Sequence, residues 1–139
     1  MSIHPSAANE RGLALIADDS RMVRRVAGRI LREFGFDVQE AATGREALDQ
    51  ARLRLPTLVL LDWNLKGLDG LEVLAALRSL PNGESIKIVF CTAERSPERI
   101  VAALQAGANE YIMKPFDSDI VESKLVLTGL LPPRRLGAA

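Results

Sequence analysis

The sequence predicts an α/β fold: a doubly wound, five-stranded parallel sheet with helices on both faces. Five short, mostly apolar segments recur along the chain, and each is followed by a segment with helical periodicity. Most of these apolar segments are continuously hydrophobic, which is typical of parallel strands covered on both faces. At 139 residues and 47% hydrophobic residues, the chain suits one domain with a core of its own and is too short for two.

Each predicted strand is a short apolar run bounded by polar or turn-forming positions. The five strands are Leu13–Ala17, Asp37–Ala41, Thr57–Leu61, Ile86–Cys91 and Glu110–Met113. The first helix is predicted to begin after Ser20, a favourable N-cap, and to end at Gly35. Its inward face is assigned to Val23, Val26, Ile30 and Phe34.

The remaining helices follow from the same apolar spacing and from capping residues. The fourth begins at Ser96, which Pro97 follows, and ends at Gly107, while the fifth follows Asp117 and runs towards Leu127. The inward residues are Ala47, Leu48 and Ala51 in the second helix, Leu71, Leu74 and Leu77 in the third, and Ile100, Ala103 and Leu104 in the fourth.

The fifth helix is apolar on more than one face. Its apolar residues are Ile120, Val121, Leu125, Val126 and Leu127. Some of them must meet the sheet, and the excess is explained either by coverage from the C-terminal tail or by a partner or dimer surface.

Composition and charge narrow the function classes. Lys and Arg total 18, and Asp and Glu total 18, so the overall charge does not favour binding to nucleic acid or to an anionic membrane. Cys91 is the single cysteine, which excludes an internal disulfide and fits a core residue in a reducing compartment. No signal-like segment or apolar run of about 18 residues is present, so we expect a cytoplasmic protein with no membrane partner. The predicted organisation is a flexible extension (1–11), one domain (12–130) and a tail (131–139).

Polar residues stand at the carboxyl ends of the predicted strands. Asp18 and Asp19 follow strand one, Asp62 follows strand three, Thr92 follows strand four and Lys114 follows strand five. Open parallel sheets bind ligands at this edge, where the strand order reverses. In the flavodoxin-like order 2-1-3-4-5 the reversal lies between strands one and three, so the three aspartates are expected to converge.

Three converging carboxylates raise each other's pKa values unless a cation lies among them. Oxygen ligands favour Mg²⁺, which typically combines one or two carboxylates with waters and a phosphate oxygen. The ammonium of Lys114 and the hydroxyl of Thr92 would complete a suitable surround for a phosphoryl group. Attack by Asp62 on a phosphoryl donor would then give an aspartyl phosphate.

These residues and their spacing resemble the receiver domain of bacterial response regulators, closest in pattern to the stand-alone, CheY-like chemotaxis type. The matching segments are ADDS, LLDWNLKGLDGLEVL, CTAE and QAGANEYIMKPF, and the resemblance spans about 13–127. It implies that Asp62 is the phosphoacceptor. It also implies that Asp19, Asp62 and the backbone carbonyl of Asn64 hold Mg²⁺, with Asp18 assisting through water.

The resemblance also implies a signalling cycle. Thr92 and Lys114 would contact the phosphoryl oxygens, the peptide before Pro115 would be cis, and Tyr111 would turn inward as a switch when Thr92 moves. A sensor histidine kinase or histidine phosphotransfer protein would phosphorylate Asp62. The face formed by helix four, strand five and helix five would then change its affinity for a protein target, with chemotaxis or motility as the expected setting.

Further expectations follow from the same resemblance. The protein would be a phosphoacceptor with intrinsic autophosphorylation and autodephosphorylation chemistry rather than an enzyme, would not bind DNA directly, and would be a monomer or a phosphorylation-dependent dimer. Asn64 and Glu94 occupy positions that tune hydrolysis of the aspartyl phosphate, and their identities suggest a short-lived signal. Lys66 stands where the family often has proline, so it is either a solvent-facing side chain or a charge that weakens Mg²⁺ binding.

Three alternative functions share parts of this pattern. A haloacid dehalogenase type of phosphatase needs a second aspartate two residues after the nucleophile, where this chain has Asn64. A flavodoxin-like electron carrier needs hydroxyls and amides after strand one, where this chain has the acidic DDSRM. Within the family, a phosphorelay intermediate that passes the phosphoryl group to a histidine phosphotransfer protein remains open.

Overall fold

The computed structural model describes residues 10–93 and 95–133. Within these residues five parallel strands form one sheet in the order β2-β1-β3-β4-β5, which confirms the predicted fold class and strand order. The strands are β1 (Leu13–Ala17), β2 (Asp37–Ala41), β3 (Leu58–Leu61), β4 (Lys87–Thr92) and β5 (Glu110–Met113). The helices are α1 (Arg21–Glu33), α2 (Gly44–Leu53), α3 (Gly70–Arg78), α4 (Pro97–Gln105) and α5 (Ser118–Thr128). A short 3₁₀ helix, Gly83–Ser85, precedes β4 and was not predicted.

The strand register aligns the carboxyl ends of the central strands. Ala17 of β1 pairs with Ala41 of β2 and with Leu61 of β3. The residues that follow Ala17 and Leu61, namely Asp18 and Asp62, therefore leave neighbouring strands at the same level.

Side-chain capping starts α1, α4 and α5 at the predicted residues, Ser20, Ser96 and Asp117. The Ser20 hydroxyl accepts the backbone N–H of Val23 at the start of α1, and Asp117 does the same for Ile120 in α5. Asp69 and Glu72 form a reciprocal capping box at the start of α3. These caps set where each helix leaves the carboxyl edge of the sheet.

Two hydrophobic layers cover the two faces of the sheet. The first layer joins the strands to α2, α3 and α4, and the second joins them to α1 and α5. One predicted core residue was wrong: Leu104 is 39% exposed. The nine-residue α4 buries only Ala103 fully and leaves Ile100 half-buried, so Leu104 falls beside its narrow buried stripe.

Helix α5 separates its apolar residues between core and surface. Val121 and Leu125 are fully buried, whereas Ile120 and Leu127 are 39% and 69% exposed. The exposed apolar surface predicted for this helix therefore consists of Ile120 and Leu127. Leu131, the first residue of the predicted tail, is buried against the second layer, and the end of that tail lies outside the described residues.

The amino edge of the sheet is held by the guanidinium of Arg78. It donates hydrogen bonds to the carbonyl oxygens of Gly83, Ile86 and Gly107 and to the side-chain oxygen of Asn109. These bonds join the end of α3, the start of β4 and the connection from α4 to β5. Within 10–93 and 95–133, no helix is long and apolar enough to span a membrane.

Candidate functional site: an acidic pocket at the carboxyl edge

Three aspartates converge at the carboxyl ends of β1 and β3. One carboxylate oxygen from each of Asp18, Asp19 and Asp62 can be chosen so that all three lie within 4.8 Å of one another. Asp18 and Asp62 are buried, with 2% and 6% exposure, whereas Asp19 is exposed. The pocket therefore has two sheltered acids and one that faces solvent.

Asp18 is fixed by three neighbouring groups. Its Oδ2 accepts a hydrogen bond from the Lys114 ammonium at 2.7 Å, and its Oδ1 accepts the backbone N–H of Ser20 at 2.9 Å. The guanidinium of Arg24 donates to the Asp18 backbone carbonyl at 2.8 Å and to the Glu40 carboxylate at 3.1 Å. Arg24 was not predicted as a site residue, because nothing in DDSRMVRR distinguishes it from the other arginines of α1.

The Asp62 carboxylate lies in an unfavourable environment for its charge. Burial raises its pKa, and the neighbouring charge of Asp18 raises it further. The ammonium of Lys114, 3.5 Å from Asp62 Oδ2, and the backbone N–H of Asn64 act in the opposite direction without cancelling the rise in pKa. A further cation beside Asp62 would therefore favour its ionised, nucleophilic form.

Lys114 and Thr92 are brought together by the last residues of β4 and β5. Thr92 was predicted to follow β4 but is its final residue, it is buried, and its carbonyl accepts the Lys114 backbone N–H at 2.8 Å. Burial acts to lower the pKa of Lys114, but its hydrogen bond to Asp18 and the charge of Asp62 outweigh burial and raise the pKa. The peptide bond between Lys114 and Pro115 is cis.

The peptide after the phosphoacceptor candidate is packed tightly against α3. The Gly70 N–H donates to the Trp63 carbonyl at 2.7 Å. A Cβ at Gly70 would lie 2.6 Å from the ring of Phe90 and 2.9 Å from both the Asp62 carbonyl oxygen and the Trp63 Cα. Glycine is therefore required here by close backbone approach rather than by an unusual φ angle.

Each of two aromatic rings, Trp63 and Tyr111, has a cationic side chain over it. The Trp63 ring packs on Phe90, with centroids 5.0 Å apart, and the Arg99 guanidinium lies 5.4 Å from the Trp63 centroid. The Lys124 ammonium lies 4.3 Å from the centroid of Tyr111. Neither cation was predicted, because each comes from a helix that is distant in sequence from its aromatic partner.

Comparison with known proteins places this geometry in a family. A family model for the response regulator receiver domain matches residues 14–125. The chain belongs to the response regulator receiver family. It is 36% identical over 118 residues to the chemotaxis protein CheY-3 of Vibrio cholerae, covering 84% of this chain and 91% of that protein. It is also 36% identical over 113 residues to CheY1 of Helicobacter pylori, covering 80% and 91%.

Solved structures agree with this assignment. The CheY4 chemotaxis response regulator of Vibrio cholerae superimposes with a TM-score of 0.78 at 29% identity, covering 86% of this receiver domain and 98% of that chain. A CheY-like receiver domain protein from Methanospirillum hungatei gives a TM-score of 0.75 at 33% identity, covering 86% and 95%.

Receiver domains bind Mg²⁺ at an acidic pocket, and the residues of this receiver domain fit such an ion. The available donors are carboxylate oxygens, which a hard divalent cation prefers, and they lie close enough to share one ion. Burial, and then the charge of Asp18, raise the pKa of Asp62, and a bound cation would oppose both effects. Asp18, Asp19, Asp62 and the backbone carbonyl of Asn64 are the groups that would hold the ion.

The remaining predicted positions that the structure describes differ in their exposure to solvent. Asn64 and Lys66 are exposed, and Glu94 lies outside the described residues. Cys91 is buried, and burial raises the pKa of its thiol to about 12, in keeping with a core role.

Proposed function

We propose that this receiver domain is a Mg²⁺-dependent phosphoacceptor whose phosphorylation on Asp62 switches a protein-binding face. The observation that carries the proposal is the position of Asp62, buried at the end of β3 with the Lys114 ammonium 3.5 Å away and two further aspartates beside it. A sensor histidine kinase or histidine phosphotransfer protein is the proposed donor. Chemotaxis or motility, in the cytoplasm, is the proposed setting.

The proposed reaction is phosphoryl transfer to a carboxylate. An oxygen of the ionised Asp62 attacks the phosphorus of a phosphohistidine, a P–O bond forms, and the P–N bond breaks to return the imidazole. Lys114 and Thr92 are the groups proposed to bind the phosphoryl oxygens. Bound Mg²⁺ supplies positive charge that offsets the charge on the transferring group.

A concave apolar surface beside the pocket suits docking of the phosphodonor. A cavity of about 460 Å³ opens next to Lys114 between α1 and the start of the β5–α5 connection. Its lining includes Val23, Val26 and Phe116, together with Met22, which is 75% exposed. A donor helix seated there would bring its phosphohistidine to the side of the pocket where Lys114 lies.

The switch is proposed to run from Thr92 to Tyr111. Phe90 pairs with Tyr111, and Thr92 pairs with Met113, so Thr92 and Tyr111 are diagonal neighbours on the face of the sheet that α4 covers. Movement of Thr92 towards a phosphoryl group would open space for the Tyr111 ring. Helices α4 and α5 also expose apolar side chains, at Val101, Leu104, Ile120 and Leu127, and those on the α4–β5–α5 face would suit a protein target.

The test uses Trp63, the only tryptophan in the chain. Its fluorescence is followed while Mg²⁺ and then acetyl phosphate are added, with intact mass measured in parallel and Asp62→Asn as the control. We expect a saturable change with Mg²⁺ and then a donor-dependent change with one added phosphoryl mass that the variant lacks. A folded parent protein without a Mg²⁺ response and without added mass would refute the proposal.

The fate of the phosphoryl group is a separate part of the proposal. Asn64, with Glu94, is proposed to permit rapid hydrolysis, so that the phosphorylated form is short-lived. Transfer to a cognate histidine phosphotransfer domain faster than hydrolysis would instead identify a relay intermediate, and a persistent phosphorylated form would contradict the short lifetime.

A further inference from the structure

Lys124, in α5, contacts Tyr111 in the edge strand β5. Its ammonium lies 4.3 Å from the centroid of the Tyr111 ring and 3.3 Å from the Glu110 carboxylate. The same Glu110 oxygen accepts the backbone N–H of Tyr111 at 3.1 Å. Tyr111, Glu110 and Lys124 therefore form a closed set of contacts in which the carboxylate fixes the ammonium and the ammonium covers the ring.

This contact crosses from one side of the sheet to the other. Helix α5 packs in the layer that contains Val121 and Leu125, whereas the Tyr111 ring packs against the opposite layer. Because β5 is an edge strand, the Lys124 side chain can pass around it to reach the ring. The side chains of Lys124 and Glu110 are only 23% and 20% exposed, so the contact is partly sheltered from water.

The contact is specific to the described position of the ring. An ammonium is attracted to the face of an aromatic ring only when it lies within about 6 Å of the centroid. Movement of Tyr111 towards Thr92 would carry the ring away from Lys124, since Lys124 lies beyond the opposite edge of β5. Lys124 therefore favours the described position of Tyr111 over a position nearer Thr92.

We propose that Lys124 is a positioning residue that holds Tyr111 in its resting place and so sets how readily the receiver domain switches. The regulatory consequence rests on the proposed function, whereas the effect on the ring does not. A cation–π contact of this partly exposed kind should change the ratio of the two ring positions by about two- to fivefold. Loss of Lys124 would raise the fraction of unphosphorylated protein with the ring near Thr92.

The experiment exploits Tyr111 as the only tyrosine in the chain. Protein labelled with ring-¹³C tyrosine gives the resonances of Tyr111 alone, and nuclear Overhauser contacts to the Thr92 methyl group report how near the ring lies. The variants are Lys124→Gln, which removes the charge, and Lys124→Arg, which keeps a cation able to cover the ring. Lys66→Gln is the matched control, because Lys66 is an exposed lysine in the loop between β3 and α3, away from α5.

We expect Lys124→Gln, without phosphodonor, to shift the Tyr111 resonances and strengthen the contact to Thr92, whereas Lys124→Arg and Lys66→Gln match the parent. With beryllofluoride as the phosphoryl mimic, Lys124→Gln should saturate at about two- to fivefold lower concentration than the parent. Unchanged Tyr111 resonances in Lys124→Gln, or a failure of Lys124→Arg to restore them, would overturn the proposal.

Failure of the proposed function would look different. A parent protein that takes up neither beryllofluoride nor phosphoryl mass would refute the phosphoacceptor role. The comparison of Tyr111 resonances among the unliganded variants would still decide whether Lys124 positions the ring.

Discussion

Replacing Lys114 with glutamine should destabilise the receiver domain and, at the same time, make it more responsive to Mg²⁺. The substitution removes the ammonium that lies 2.7 Å from Asp18 and 3.5 Å from Asp62, while a neutral side chain of similar length remains. Two buried carboxylates would then face each other without that compensating charge. The cost is electrostatic and is confined to the acidic pocket.

The size of the effect follows from the geometry. At an effective dielectric constant of about 20, charges at the observed 2.7 and 3.5 Å attract by roughly 6 and 5 kcal/mol. Much of this attraction is offset by the cost of removing the charges from water, and breaking a buried pair typically costs about 3–5 kcal/mol. Because the Lys114 side chain is 20% exposed, we expect a loss of about 3 kcal/mol.

Urea unfolding measures this loss. With a slope of about 2 kcal/mol per molar urea, the midpoint in EDTA should fall by roughly 1.5 M. Mg²⁺ should narrow the gap between Lys114→Gln and the parent by about 1 kcal/mol or more, because an ion bound to the native state no longer competes with the ammonium. Lys66→Gln should stay within about 0.5 kcal/mol of the parent. Equal stability in EDTA, or a gap that Mg²⁺ leaves unchanged, would refute the reasoning.

Four further substitutions, three around the pocket and one in α1 as a comparison, are tested by urea unfolding. Asp62→Asn should stabilise the protein at pH 7 by roughly 0.5–2 kcal/mol. Burial raises the pKa of Asp62, so the parent loses stability as pH rises through the folded-state pKa. The difference in unfolding free energy between Asp62→Asn and the parent should therefore vanish below about pH 4. An undiminished difference at that pH would contradict this reasoning. Gly70→Ala should cost about 1–3 kcal/mol through overpacking against backbone, whereas Gly28→Ala in α1, with 3.4 Å to the nearest side-chain atom, should stabilise by up to about 1 kcal/mol. Arg24→Gln should cost about 1.5–3 kcal/mol in EDTA and in Mg²⁺ alike, since its bonds anchor the loop backbone rather than the carboxylates.

The sheet and the convergence of the acids could be predicted because both depend on short-range pattern. Continuous apolar runs specify buried parallel strands, and the residue after each run must emerge at the same edge. Asp18 and Asp62 were therefore located from sequence once the strand order was assumed. The start of α1 could be predicted in the same way, because the Ser20 hydroxyl caps the backbone N–H of Val23, only three residues along the chain.

The contacts that tune the site could not be predicted in this way. Arg24 to Glu40, Arg99 to Trp63 and Lys124 to Tyr111 each join different elements of the fold. These contacts form only if each helix is rotated suitably about its axis and its long side chain extends far enough. Neither property produces a repeating pattern in the sequence. The predicted burial of Leu104 was wrong for a related reason, because the nine-residue α4 buries fewer positions than its apolar spacing suggests.

The hydrogen bonds of Arg78 fix the amino edge of the sheet, which is the edge opposite the acids. By joining the 83–86 segment to Gly107 and Asn109, the guanidinium anchors β4 and the C-terminal end of α4 far from the acids. A displacement of α4 that begins at the opposite edge would therefore tilt the helix about this anchored end more readily than translate it. In such a tilt the first turn of α4, at the same edge as Asp62, would move most and the Gly107 end least.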